Sequence, residues 1–207
     1  LGVQCLLFLE VLSAGSIYGS DIPLSFFAGR AYGFGEVVQG RVPLWSPFQF
    51  CGYPFVGALQ SAIFYPPNLL FAVLPTELAF AVSAQLHVTL AGLIMYVFIT
   101  METRSGWAAL LAAIVCSSSP AILSRIYAGH VTMVCGYPWL VLFVAAWFVA
   151  LERSSSRAAG LAGIALGLQV LAGPPAPPTC SSVAMLTITI VHVATHRAWL
   201  AVTSSLR

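Results

Sequence analysis

The chain has 207 residues, of which 59% are hydrophobic and only 7% charged, and its mean hydropathy is +0.94. Soluble domains carry about a quarter of their residues as charges, so this composition excludes an ordinary water-soluble fold and marks an integral membrane protein. The basic residues are all arginine, eight in number and scattered, so the net charge of +2 offers none of the clustered footprint that nucleic acid requires.

A bilayer core of about 30 Å needs roughly 20 apolar residues per helix. Six segments approach that length: residues 1–18, 78–100, 107–123, 134–151, 158–172 and 181–194, the last two being short. The first, "LGVQCLLFLEVLSAGSIYG", has neither the basic start nor the small-residue cleavage site of a signal peptide, so it reads as a membrane helix. Because the chain opens on Leu1 and stops at Arg207 after an apolar run, it reads as the N-terminal membrane region of a longer protein. The expected fold is an all-α polytopic bundle of about six spans in a single region. Residues 1–18 form its first helix, 19–77 a long first extracytoplasmic loop carrying short interfacial helices, and 78–207 the further membrane helices.

Within the loop, "PLWSPFQFCGYPF" crowds Trp45, Phe48, Phe50, Tyr53 and Phe55 together and predicts a structured aromatic lid. In "PPNLLFAVLP", Pro66 and Pro67 open a helix where the N–H groups need no partner, and Pro75 stops it. This predicts a short helix in the outer interface, with Phe64, Tyr65 and Phe71 at headgroup depth. In the fifth segment Gly163 and Gly167 form a small-x-x-x-small pair suited to close helix packing. "GPPAPP" after it reads as a connection.

Arginines collect in short cytoplasmic loops. Arg104, Arg153, Arg157, Arg197 and Arg207 fall in alternate connections, against Arg30, Arg41 and Arg125 in the others, which places the long loop, the turn at 125–131 and the proline-rich connection outside. Five cysteines show neither paired spacing nor a Cys-x-x-Cys, and read as buried small hydrophobes. A disulfide among Cys51, Cys135 and Cys180 stays open, because this topology puts all three near one side.

Asp21 stands where the first helix meets the outer loop. A carboxylate there is either a solvated helix-end residue or, partly desolvated by the aromatic loop, a general base for a hydroxyl presented at headgroup depth. Arg30, Glu36 and Arg41 share the loop, and Arg125 and His130 occupy the next outer turn. Arginine suits bidentate grip of a lipid phosphate, although any one of these residues is equally an interfacial topology marker. His87, with Gln85 nearby, lies inside the second helix as a candidate intramembrane polar site or a packed, hydrogen-bonded histidine. No metal-ligand cluster, phosphate loop, Gly-x-Ser-x-Gly or dinucleotide fingerprint occurs, and nothing in the sequence demands a cofactor or metal.

The run from Gly40 to Pro75, followed by "LHVTLAGLIMYVF", "AGHVTMV" with Trp139, "ALERS" and "GLQVLAG", resembles the YfhO family of bacterial polytopic membrane proteins, in order and over nearly the whole chain. The chain departs from that family's pattern at Pro174, Pro175 and Ala176, where a His-Pro-Gln-like continuation is expected. The family is similar to the glycosyltransferase C superfamily. The resemblance implies a multi-pass protein of the bacterial plasma membrane. It implies sugar transfer from a polyprenyl-phosphate donor to a glycan, lipid or protein acceptor outside the cytoplasm, with membrane lipid as a further partner. On that resemblance Asp21 is the base and Arg41 or Arg125 holds the donor phosphate. Trp45, Tyr53, Gln60 and Tyr65 belong to the donor-binding rim, and His130 stands in the family's Gly-His element.

The alternative class is a transporter or flippase for a lipid-linked or amphiphilic solute, with Glu10, Gln85 and His87 as a polar path. A structural membrane subunit is the third. The absence of a visible inverted repeat weighs against transport.

Overall fold

A computed structural model describes residues 19–49, 51–173 and 175–205, with 196–205 by backbone alone. The expected first helix over 1–18, with Cys5 and Glu10, lies outside the described residues, as do Phe50, Pro174, Arg207 and the side chains of His196 and Arg197.

The described chain is mostly helical. Asp21 leads into a π-helical turn, Ile22–Phe26, continued by helix α1, Phe27–Val38. An antiparallel ribbon follows, in which Trp45 of β1 (Trp45–Ser46) faces Pro54 and Ser46 faces Tyr53 of β2 (Tyr53–Pro54). Two 3₁₀ turns, Leu59–Ser61 and Pro66–Leu69, lead through the short helix α2, Leu70–Val73, into a bundle. The bundle consists of α3 (Thr76–Thr103), α4 (Gly106–Ser117), α5 (Pro120–Ala128), α6 (Val131–Glu152), α7 (Ser156–Ala172) and α8 (Ala176–Ser205).

Among the described residues, four stretches are long and apolar enough to cross a membrane: Thr76–Thr103, Gly106–Ala128, Val131–Glu152 and Ala176–Thr195. The expectation of about six spans is met at these four. Helix α7 has 17 residues, about 25 Å at 1.5 Å per residue, and falls short of the hydrocarbon core. The third expected span runs further than its apolar core suggests and is broken at Ser118–Ser119. Pro120 drives Ser119 into extended backbone (φ −63°, ψ 140°), ending α4 and starting α5. The "GPPAPP" connection shrinks to Gly173–Pro175, because Pro177 and Pro178 sit in the first turn of α8, where a missing N–H breaks no hydrogen bond.

Helix α3 packs on α4 and α6, and α6 packs on α7 and α8. Small residues make these approaches close. Ala162 and Ala165 of α7 are buried against Phe143 and Ala146, and a Cβ on Gly136 of α6 would come within 2.8 Å of the Pro177 ring. The glycine pair expected to pack, Gly163 and Gly167, faces open space instead, since the alanine face of the same helix is the one turned inward. Outward-facing Leu111, Val115, Ile164, Val183, Leu186 and Ile190 are all exposed. An apolar surface this extensive, on helices long enough to cross a bilayer, suits lipid, and this is a membrane protein.

The connections sort to two ends. At one end Glu102 accepts from Arg153 at 2.6 Å, and Glu152 meets His192 at 3.1 Å. At the other end, the segment 19–75, the turn at Gly129–His130 and Gly173 come together. Residues 19–75 are packed onto the bundle. Phe34, Tyr65 and Phe71 share one buried cluster with Phe80 of α3, Val131 and Cys135 of α6 and Ala172 of α7. Phe71 sits 5.6 Å from Phe34 and 4.8 Å from Phe80, centroid to centroid. Tyr65 and Phe71 therefore lie inside rather than at the surface, and of the three aromatics expected at headgroup depth only Phe64 is exposed. Cys51, Cys135 and Cys180 are all free thiols, with Cys135 buried and the other two exposed, so no disulfide joins them.

Candidate functional site

Asp21 and the sequence-distant pair Arg125 and His130 form one string. It depends on a close backbone approach. A Cβ on Gly19 would lie 2.2 Å from the Gly129 nitrogen and 2.3 Å from its Cα, so only glycine lets the start of the described chain meet the α5–α6 turn. Gly129 itself takes φ +83°, which closes α5 by a left-handed cap, its N–H donating to Ile126 O at 3.0 Å. The Ser20 hydroxyl donates across the same seam to Ala128 O at 3.4 Å.

In this arrangement His130 Nε2 lies 3.1 Å from Asp21 Oδ2, and Arg125 Nη1 lies 3.1 Å from His130 Nδ1. A guanidinium only donates, so Nδ1 accepts and the ring proton sits on Nε2, where it donates to the carboxylate. The imidazole is thereby locked in one tautomer and orients Asp21. The Asp21 side chain keeps 41% of its surface exposed, leaving carboxylate lone pairs free for a further proton donor.

Further along the chain from Asp21, starting at Leu24, lies a cleft of about 770 Å³. One wall is the chain from Leu24 to Arg30, and the others are the ribbon (Gln49, Tyr53, Phe55), the turn at Ala58–Ser61, and Gly173 with Pro175. Gly173 shapes it: φ is +116°, and a Cβ would strike Leu59 O at 2.6 Å, so the α7–α8 connection abuts the Leu59–Ser61 turn without a side chain between. Asp21 does not line this cleft; it precedes Leu24 and Ser25, which do, by about one turn.

The other expected residues scatter. Tyr53 and Gln60 line the cleft, and burial raises the Tyr53 hydroxyl above its ordinary range, keeping it protonated. Trp45 lies on the ribbon, 55% exposed, where its ring covers Gly52 and its carbonyl accepts from Tyr32 Oη at 2.7 Å. Arg41 is exposed and clamped by Glu36 through two bonds of 2.6 and 2.7 Å. The Arg41 contact holds the Glu36 carboxyl below its usual range, and the Glu36 contact holds Arg41 above its own.

Tyr65 and His87 are inside and together. Tyr65 Oη lies 2.6 Å from His87 Nε2, and His87 Nδ1 lies 2.6 Å from Ser83 O. The Ser83 carbonyl only accepts, so Nδ1 carries the proton, Nε2 accepts from Tyr65, and Tyr65 in turn accepts from Trp139 Nε1. Three elements are pinned by one chain of bonds, with both imidazole nitrogens engaged. Burial pushes the Tyr65 hydroxyl far above its ordinary value, so it remains a donor.

Arg30, named among the loop arginines but not chosen for the donor phosphate, differs from the others in its burial. It is 3% exposed, lines the cleft, and donates through Nη1 to the Ser61 carbonyl, while Nε and Nη2 have no partner. Burial lowers it to about 10. The signal was present in helical spacing. Phe26, Phe27, Gly33 and Phe34 stand at i−4, i−3, i+3 and i+4 from Arg30, which sets the arginine on the apolar face of α1. Among the described residues, no three His, Cys, Asp or Glu side chains gather where they would hold a metal ion.

No protein-family model, curated protein or solved structure matches this chain. The functional reading therefore rests on the string, the cleft and the sequence motifs.

Proposed function

We propose that this chain is the membrane region of a glycosyltransferase of the bacterial plasma membrane, similar to the YfhO family. It moves a sugar from a polyprenyl-phosphate carrier to an acceptor hydroxyl on a glycan, lipid or protein outside the cytoplasm. The observation that carries the reading is Asp21 at 3.1 Å from His130 Nε2, half-exposed and about one turn before the segment that lines a large cleft. The Asp21 end of the bundle is the outer one in this reading, since it holds Arg30, Arg41 and Arg125, whereas Arg104, Arg153 and Arg157 lie at the other.

Asp21 takes the proton from the acceptor hydroxyl while that oxygen attacks the anomeric carbon from the face opposite the phosphate. The new glycosidic C–O bond forms as the bond to the phosphate oxygen breaks. The electron pair leaves with the polyprenyl phosphate, and the anomeric configuration inverts. His130 is a positioning residue for Asp21, and Arg125 fixes its tautomer. A general base of this kind contributes about a hundredfold to ten-thousandfold to rate.

The transport reading placed weight on His87, whose two ring nitrogens are occupied by Tyr65 and Ser83 in a sealed core, so no specific observation favours it. The test uses membranes carrying the natural full-length protein or its Asp21→Asn variant, incubated with radiolabelled polyprenyl-phosphate sugars and followed for label leaving the carrier. Asparagine still accepts a hydrogen bond from His130 but takes up no proton, so transfer by wild type alone is the expected result. Label that never moves with either protein, across a panel of donors and acceptors, counts against the enzyme.

A further inference from the structure

The Arg30 guanidinium is nine-tenths or more buried, yet of its three nitrogens only Nη1 has a hydrogen-bond partner, the Ser61 carbonyl. Among the described residues no carboxylate pairs with it, in contrast to Arg41 on Glu36 and Arg153 on Glu102. Its guanidinium carbon stands 5.6 Å from the Phe71 ring centre, a contact that offsets part of the cost of burying the charge but engages none of the N–H groups. A buried cation with donors left over is unfavourable unless a further acceptor reaches it.

We propose that Arg30 is the anchor of an anion site, and that the cleft takes a phosphate-bearing amphiphile whose apolar tail leaves toward lipid. A guanidinium edge matches two oxygens of a phosphate in a planar fork. An oxyanion arriving from the cleft replaces the Ser61 carbonyl on Nη1 and reaches the adjoining Nη2. Ser25, Tyr53 and Gln60 line the same cleft and supply neutral donors for its remaining oxygens. A volume of about 770 Å³ far exceeds one phosphate group, and Leu24 (76% exposed) and Leu59 (58% exposed) stand in its lining as an apolar exit at the end of the membrane spans. Arg41 and Arg125, the arginines the sequence pointed to for this task, already face Glu36 and His130.

This inference deepens the reading above and rests on it only for the sugar that the lipid would carry. The grip on phosphate is measurable without any transfer. Purified full-length protein in neutral detergent micelles is titrated with a radiolabelled monoalkyl phosphate, with the matching alkyl alcohol, and with inorganic phosphate as competitor. Wild type is expected to bind the alkyl phosphate saturably and the alcohol weakly. Arg30→Gln is expected to lose about ten- to a hundredfold in affinity for the phosphate and nothing for the alcohol. Gln60→Trp, at an exposed position in the lining, is expected to block the cleft without touching Arg30, and it stands in if Arg30→Gln fails to fold.

Competition by inorganic phosphate at equal concentration would assign the site to a free ion instead of a lipid headgroup, and overturn the amphiphile. Undiminished alkyl phosphate binding by folded Arg30→Gln, or by Gln60→Trp, would overturn the site, as would wild type that binds no phosphate at all. If label still moves from a polyprenyl donor in Arg30→Gln at the wild-type rate, this inference fails while the transferase reading stands. If phosphate binds and no label moves, the reverse holds.

Discussion

The protein carries two polar clusters built from similar residues, and they behave in opposite ways. Around His87, every ring nitrogen is engaged: Trp139, Tyr65, His87 and Ser83 form a chain of bonds with Tyr65 at 0% exposure. Around His130, the ring is equally fixed, but Asp21 on one side remains 41% exposed and the cleft nearby holds an arginine with donors left over. Saturated and sealed, the first cluster joins the outer segment to α3 and α6. Open on one side, the second can exchange protons and bonds with something that arrives. An ionisable residue among membrane helices is thus a functional candidate only until its partners are counted.

The sharpest way to break this contrast is at Asp21. Asp21→Asn should lower transfer by about a hundredfold to ten-thousandfold with little change in stability, read from label release in membranes. Wild-type transfer by that variant would reduce the open cluster to another structural contact. Next in size is Gly19→Ala. A methyl group 2.2 Å from the Gly129 nitrogen must push the two backbones apart, and a displacement of about 1 Å in a positioned group costs about a hundredfold in rate. His130→Gln, which retains a donor for Asp21, should keep more activity than His130→Ala, and equal rates for the two would remove His130 from the site.

The sealed cluster makes the opposite prediction. Tyr65→Phe leaves Trp139 Nε1 and His87 Nε2 buried without their shared partner and should cost about 1–3 kcal/mol per orphaned group. The loss is to be read from unfolding in detergent, with transfer per folded molecule unchanged. The smallest effect belongs to Glu36 and Arg41. Contact with Arg41 lowers the Glu36 carboxyl in the folded state, so its small contribution is present above the ordinary carboxylate range and disappears as pH falls through the folded value. Wild-type and Glu36→Gln thermal midpoints should therefore converge in acid and separate slightly near neutrality, as befits an exposed pair.

Membrane class and helical fold were legible in the residues because they depend on composition and on runs of about 20 apolar positions, which need no partner to be recognised. The short helix behind Pro66 and Pro67 was readable for the same reason, since proline acts on its own backbone. Of the six expected spans, 1–18 lies outside the described residues and four of the other five are long enough to cross, since helix length along the membrane is set by where neighbours end. Ser119 before Pro120 interrupts one of the four without removing it, and α7 alone stops short, at Gly173. Asp21 and His130 were each visible as candidates, but their pairing was not, for it depends on Gly19 and Gly129 touching across 110 positions, as the numbering counts it.

Tyr65, His87, Trp45 and Arg30 mark the boundary most clearly. Their residue types announced polar or aromatic work near a membrane surface, and local spacing even set Arg30 on the apolar face of its helix. Whether each hydrogen-bonding group was satisfied depended on atoms contributed by other elements: Ser83 and Trp139 for the sealed pair, the Ser61 carbonyl alone for Arg30. Apolar patterning is a property of one segment and survives in the sequence. Saturation of a hydrogen bond is a property of two segments, and exists only once the chain has folded.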